Sequence, residues 1–350
     1  MMHIGMSLSP FGHHPAAWRE YPGGVAALGV NQLAAQTRKA EAGALDFVFL
    51  ADRETRRPLT EPSPQAVPFE PTTLTAALAT LASRIGFVAT AAAAQHELYN
   101  LARRFASLDI ISDGRVAWNV VASGRDDGWD SEYIAVVGAL WESWDHDAFV
   151  YDKAGGWLFM PDKMHVLDHR GEHFTVRGPL NVNRSPQGKP VIAHVMTPDT
   201  MAIGVQAADL MFLPGGSRAV SATLAADVEL RLKAGGRNRA EVRILAHVIP
   251  WVGTTAAEAR ALHDRLSDFP AMPADLPQGC PLIGTSMEIA DALQVWFERS
   301  AIDGFVILPP VARCFDLFMD CVVPELRGRG LFRGRYEGTT LRHHLGLLRS

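Results

Sequence analysis

Short apolar runs alternate along this chain with stretches whose apolar residues recur at helical spacing. ALDFVFLAD (44–52) is almost wholly apolar and ends in a carboxylate, the pattern of a strand buried on both faces of a parallel sheet. HIGMSL, IGFVAT, RVAWNVVAS, PVIAHV, ADLMFL, VRILAHVIP and GFVILP repeat it. Helical spacing fills the intervals, among them Asn31–Ala42, Thr72–Ala82 and Tyr99–Leu108. Strands that are mostly followed by helices predict βα units. An open doubly wound sheet shares this rhythm, but eight strands over 350 residues favour a closed (β/α)₈ TIM barrel, expected as one domain over residues 1–350.

Two segments exceed a minimal barrel, one after the fourth strand and one after the seventh. Residues 123–190 hold a Trp-rich helix (EYIAVVGALWESW) and a predicted hairpin, and SDFPAMPADLPQGCPLIGTS is a proline-rich excursion. A barrel's active site lies at the C-terminal ends of its strands. Those ends carry Ser7, Ser9, Asp52, Thr90, Ser123, His194, Pro214, His247 and Pro309. In RVAWNVVAS the adjacent Trp118 and Asn119 must face opposite sides of the sheet, and Trp118 is assigned to packing. No glycine-rich dinucleotide fingerprint follows the first strand, and nothing resembles a P-loop.

Composition narrows the function classes. A net charge of -5 offers no basic surface for nucleic acid or anionic membrane. The longest apolar runs fall short of the ~20 residues of a membrane span, and MMHIGMSLSP lacks the basic and apolar regions of a signal peptide. A cytoplasmic protein is expected. The three cysteines, Cys280, Cys314 and Cys321, show neither zinc spacing nor a disulfide framework. No metal site is expected, because the adjacent His13 and His14 lack a carboxylate partner at ligand spacing.

Several blocks together resemble one family. LARRFASLDIISDGRVAWNVVAS, LWESWDHDA, GEHFTVRGPLNVNRSPQGKPV and VVPELRGRGLFRGRYEGTTLRHHLGL are similar to the nitrilotriacetate monooxygenase component A branch of the bacterial-luciferase-like flavin monooxygenases. GHHPAAWR and FVFLAD belong to the same pattern. The resemblance implies a luciferase-like barrel that takes reduced FMN from a separate NAD(P)H:flavin reductase, uses O₂ to oxygenate a small organic substrate, and forms a homodimer or homotetramer. It matches Asp52 to the family's strand-two aspartate beside the flavin; a helix N-cap or a salt-bridge partner is the alternative for this carboxylate. Thr90, Asn119 and Ser123 are expected at the flavin ring, and His194 and Thr197 near its phosphate. Asn119 satisfying only the backbone, and His194 as a hydrogen-bonded core residue, remain open. His13, His14 and Trp18, in the first loop over the mouth, are candidates for gripping substrate or handling protons, with solvated loop residues as the alternative. No catalytic acid–base pair is assigned.

The departures from the family point towards weak flavin binding. Ala92 and Ala93 stand where hydroxyl residues are usual, HVMTP puts Pro198 at a phosphate-binding serine position, and the loop after Ser123 is short. They motivate an alternative function, a flavin-poor barrel acting as a binding or accessory subunit. Arg184 is taken as a surface charge, and RGRGLFRGRY near the C-terminus as solvated or at a subunit contact.

Overall fold

The computed structural model describes residues 1–22, 29–52, 69–125, 127–269 and 279–348. Its strands are β1 (His3–Ser7), β2 (Phe47–Leu50), β3 (Gly86–Ala92), β4 (Val116–Val121), β5 (Phe149–Asp152), β6 (Trp157–Phe159), β7 (His169–Arg170), β8 (Thr175–Val176), β9 (Val191–Val195), β10 (Leu210–Leu213), β11 (Arg243–Val252), β12 (Cys280–Gly284) and β13 (Gly304–Ile307). The helices are α1 (Val30–Ala42), α2 (Pro71–Ala79), α3 (Leu98–Ile111), α4 (Trp129–Trp141), α5 (Met201–Ala207), α6 (Arg218–Ala234), α7 (Ala256–Ser267), α8 (Ser286–Arg299), α9 (Ala312–Leu317), α10 (Val323–Gly328) and α11 (Leu341–His344).

The eight predicted runs form β1, β2, β3, β4, β9, β10, β11 and β13. Each pairs in parallel with the next, and β13 pairs with β1, so the barrel closes. A ninth parallel strand, β12, lies outside the ring and pairs with the far half of β11, Val248–Val252. It falls within the proline-rich segment expected to be an excursion. Pro281 hides it in the sequence, yet a proline is tolerated here because β12 is an edge strand. Residues 270–278 of the same segment lie outside the described residues. The Trp-rich helix is the barrel's own α4, packed between α3 and α5, so it is no addition to the fold. Two antiparallel hairpins, β5–β6 and β7–β8, follow it where one was expected.

Alternation sorts the side chains. Ile4, Met6, Val48, Trp118 and Ile192 join the outer cluster under the helices, whereas Phe47, Phe49, Ala117, Ala193 and Phe212 form the inner one. Trp118 is fully buried among Phe105, Tyr133 and Trp141, and its indole N–H donates to the Ala91 carbonyl at 2.9 Å. That satisfies the one polar atom of a large apolar side chain. Gly5 faces inward. A Cβ there would lie 2.1 Å from the Phe47 ring, so the missing side chain makes room for it.

The barrel's N-terminal end is plugged by the C-terminal segment. Leu341, Leu345 and Leu347 join the inner cluster. Arg342 pairs with Asp209 at 2.9 Å, and Arg333 approaches the fully buried Asp46 at 3.0 Å while donating to the carbonyls of Ala44 and His344. The basic run is therefore stitched to the barrel by named carboxylates and carbonyls. The expectation of a solvated or intersubunit run is corrected for Arg333, its member that meets Asp46: a buried carboxylate such as Asp46 requires a cationic partner.

Candidate active site at the barrel mouth

Followed round the ladder, the register slips by about eight residues, the stagger of eight tilted parallel strands. Inward residues of alternate strands therefore share a level. Ser7, Thr90, Val195 and His247 make one layer near the C-terminal end. Phe49, Asn119, Phe212 and Val306 make the layer beneath. In the lower layer the Phe49 and Phe212 rings meet edge to face at 5.3 Å; His247 stacks on Phe212 from above at 5.7 Å and lies 6.4 Å from Phe49. The barrel's axis is thus closed below the mouth by three rings.

Polar groups surround this plug. The Asn119 Nδ2 donates to the Thr90 Oγ1 at 3.0 Å across the β3–β4 ladder. Both residues are buried, yet Asn119 Oδ1 has no hydrogen-bond partner, and neither has the buried Ser7 Oγ. Leaving such an atom unsatisfied costs about 1–3 kcal/mol. Two orphans in adjacent layers at the ligand end are the mark of a surface meant to be completed by something else. Ser7 and His247 were legible as strand-end residues; what placed them in the site is their phase, the same inward parity as Thr90 and Asn119.

The first loop is tied down rather than poised. Gly12 has φ +114°, and a Cβ there would sit 2.4 Å from the Pro310 carbonyl oxygen, so only glycine lets the loop lie against the end of β13. His13 donates its backbone N–H to the Pro309 carbonyl at 2.9 Å and its Nε2–H to the Ser7 carbonyl at 3.1 Å. Burial pushes its pKa down to about 4, against a smaller upward pull from the Ser7 carbonyl, so the ring is neutral at pH 7. His14 packs edge-on against Trp251 and accepts a hydrogen bond at Nδ1 from the Ala16 N–H. Burial, then the charge of His263, lowers its pKa. Trp18 is exposed, with the Arg19 guanidinium over its ring. The three residues face different partners.

Asp52 is half-buried just beyond β2. It lies near His96, whose pKa is lowered chiefly by burial and then by Arg104, with Glu70 and Asp52 pulling it upward. The helix that follows, α2, takes its N-cap from Glu70, which accepts from the N–H groups of Thr72 and Thr73. Asp52 is therefore not the cap of α2. Ser123 stands at the end of β4, but its hydroxyl and N–H both bind the buried Asp130 carboxylate at 2.8–3.0 Å, which anchors the start of α4.

His194 departs from expectation. Its neighbours Ala193 and Val195 line the barrel, so its own ring points out, where Nδ1–H donates to the Val120 carbonyl at 2.9 Å and the ring edge abuts Gly204 of α5. Burial lowers its pKa. Its Nδ1 is bonded as the core alternative expects, its buried Nε2 has no hydrogen-bond partner, and the ring does not line the barrel interior. Thr197 is exposed, its hydroxyl 2.9 Å from that of Thr200. Ala92 is buried at the end of β3 with the inward parity of Thr90, and presents a methyl group where a hydroxyl was sought. Arg184 is half-buried, donating to the Trp144 carbonyl at 3.3 Å. Among the described residues no group of three or more His, Cys, Asp or Glu is placed to hold a metal ion.

Comparison with known proteins identifies the chain's relatives. The family model for luciferase-like monooxygenases matches residues 9–272. Nitrilotriacetate monooxygenase component A of Aminobacter aminovorans is 33% identical, over 99% of this chain and 97% of that protein. N-acetyl-S-(2-succino)cysteine monooxygenase of Bacillus subtilis (strain 168) is 32% identical, over 98% and 96%. Among solved structures, EDTA monooxygenase from Chelativorans sp. BNC1 superposes with a TM-score of 0.86 at 26% identity, covering 99% of each chain.

Proposed function

The chain belongs to the luciferase-like monooxygenase family, and from that premise we propose that it is the oxygenase of a two-component system that uses FMN reduced by a separate NAD(P)H:flavin reductase. It is an enzyme, a monooxygenase of the flavin-dependent type. The proposed co-substrates are O₂ and a small organic molecule. The observation that carries this reading is the pair Thr90–Asn119, buried at the mouth with Asn119 Oδ1 unpartnered. Such an atom fits the polar edge of a ring lying over the strand ends, so the residues present suit a flavin there.

When bound, reduced FMN supplies the electrons that activate O₂. The chain's own part is to bind, orient and exclude water. Asn119, held in place by Thr90, would hold the ring edge, and Asp52 lies at the rim on the β2 side. The plug of Phe49, Phe212 and His247 closes the barrel below, which keeps water from entering from beneath. His13, neutral and bonded to the Ser7 carbonyl, fixes the first loop, and Trp18 is the member of that loop left exposed to meet a substrate. Thr197 remains the proposed phosphate contact, without help from His194. A homodimer or homotetramer and a cytoplasmic setting complete the proposal; among the described residues no helix is long and apolar enough to cross a membrane.

One observation favours the alternative of a flavin-poor accessory barrel. Ala92 offers no hydroxyl, and Ser123 spends its own on Asp130, so few side chains remain for the cofactor. An anaerobic titration separates the two. Reduced FMN binding to the isolated chain, with oxidised FMN weaker and in the micromolar range or above, supports the oxygenase. Absence of binding to either form would leave the accessory barrel.

A further inference from the structure

The buried hydroxyl of Ser7 has no task in the fold. Its residue is 2% exposed and its Oγ has no hydrogen-bond partner. The backbone already does the structural work, since the Ser7 carbonyl accepts from His13 and β1 pairs with both neighbours. The side chain points into the barrel, because Ile4, Met6 and Leu8 take the outer face and Gly5 yields its space to Phe47. It stands in the layer of Thr90 and His247, across the aromatic plug from Asn119, whose inward-facing Oδ1 also lacks a hydrogen-bond partner.

We infer that Ser7 is a ligand-binding residue of the barrel floor, and that Ser7 Oγ and Asn119 Oδ1 are two points of a hydrogen-bonding belt that reads the polar edge of a planar heterocycle. Between them the floor is aromatic, from Phe49, Phe212 and His247. A flat ring with donors and acceptors along its edge satisfies both features at once. A flexible alkyl chain would cover the rings and leave both polar atoms unpaired. Ser7 can donate or accept, whereas the Asn119 oxygen accepts, so the matching edge carries at least one N–H. On the proposed function that heterocycle is reduced FMN, and the identification of the ligand rests on that proposal.

The test uses the full chain with Ser7→Ala and Ser7→Cys. Two quantities are read: the thermal midpoint without ligand, and the dissociation constant for reduced FMN measured anaerobically. Removing an unsatisfied hydroxyl should leave the ligand-free midpoint of Ser7→Ala unchanged or raise it by about 1–3 °C. The same change should weaken reduced FMN binding about three- to tenfold, with Ser7→Cys in between. A lower midpoint with unchanged affinity would show a structural or water-holding hydroxyl and overturn the inference. Unchanged affinity in both variants, with wild-type chain binding normally, would overturn it while leaving the proposed function intact. Failure of the wild-type chain to bind reduced FMN would overturn both.

Discussion

At the N-terminal end of the barrel Asp46 is fully buried, 3.0 Å from both His3 and Arg333, and Asp209 pairs with Arg342. Leu341, Leu345 and Leu347 seal the opening behind them. At the C-terminal end the interior carries hydroxyl and amide groups, and two of their atoms, Ser7 Oγ and Asn119 Oδ1, have no hydrogen-bond partner. Both ends are buried, so solvent does not account for the contrast. The N-terminal end sets charge against charge across long sequence separations, and the atoms there that lack a hydrogen bond, Arg333 Nη2 and His344 Nδ1, belong to residues already bonded to the chain through other atoms. The other turns a neutral hydroxyl and an amide oxygen towards the barrel interior with no partner for either, a cost that a ligand can offset.

If the lower end is purely structural, damage there should be severe and should leave ligand affinity alone. Arg333→Ala leaves the buried Asp46 carboxylate with only His3 and the Ile4 N–H, and unfolding by denaturant should show a loss of about 2–4 kcal/mol; the folded fraction should still bind reduced FMN with wild-type affinity. Leu345→Ala opens a cavity in the plug and should cost about 2–4 kcal/mol, again without changing affinity. A change in flavin binding in either variant would break the contrast.

Acid sharpens it from both ends. Burial drives the pKa of His13, at the mouth, and of His344, in the plug, down to about 4, each partly offset by a carbonyl hydrogen bond. Because the folded values lie below the unfolded value of about 6.5, their stabilising contribution is complete above that pH and is lost as pH falls towards 4. Asp109 opposes them. Its burial raises its pKa to about 6, so its contribution is complete below about 3.8 and is lost as pH rises towards 6. Stability measured from pH 7 to pH 4 should fall, less steeply in His344→Gln and more steeply in Asp109→Asn.

The smallest effect on stability belongs to Asp52→Ala. A half-buried carboxylate at the rim that does not cap α2 should shift the midpoint little, by less than about 0.5 kcal/mol, while reduced FMN binding is lost. A loss of about 0.5–2 kcal/mol with affinity intact would make it a structural residue after all.

The eight barrel strands were legible because each is an apolar run long enough to be buried on both faces, and Trp118 and Asn119 were assigned to opposite faces by period alone. That same all-apolar character conceals which parity faces inward. VIAHV gives no local sign that Ala193 lines the barrel and His194 the helix layer, so only the structure shows that His194 faces outward. Ser123 was misleading for a different reason: Asp130, seven residues on, claims its hydroxyl, and only tertiary structure shows it. The tail arginines find Asp46 and Asp209 far away in sequence, and β12 is disguised by Pro281. Each is a long-range pairing that no local pattern carries.

The most direct test of the contrast is hydrogen–deuterium exchange on the wild-type chain, with and without reduced FMN under anaerobic conditions. The account predicts added protection at the strand ends around residues 7–14, 90–92 and 119–123, and none in the plug at residues 333–347. Protection confined to the plug, or absent everywhere at saturating reduced FMN, would contradict it.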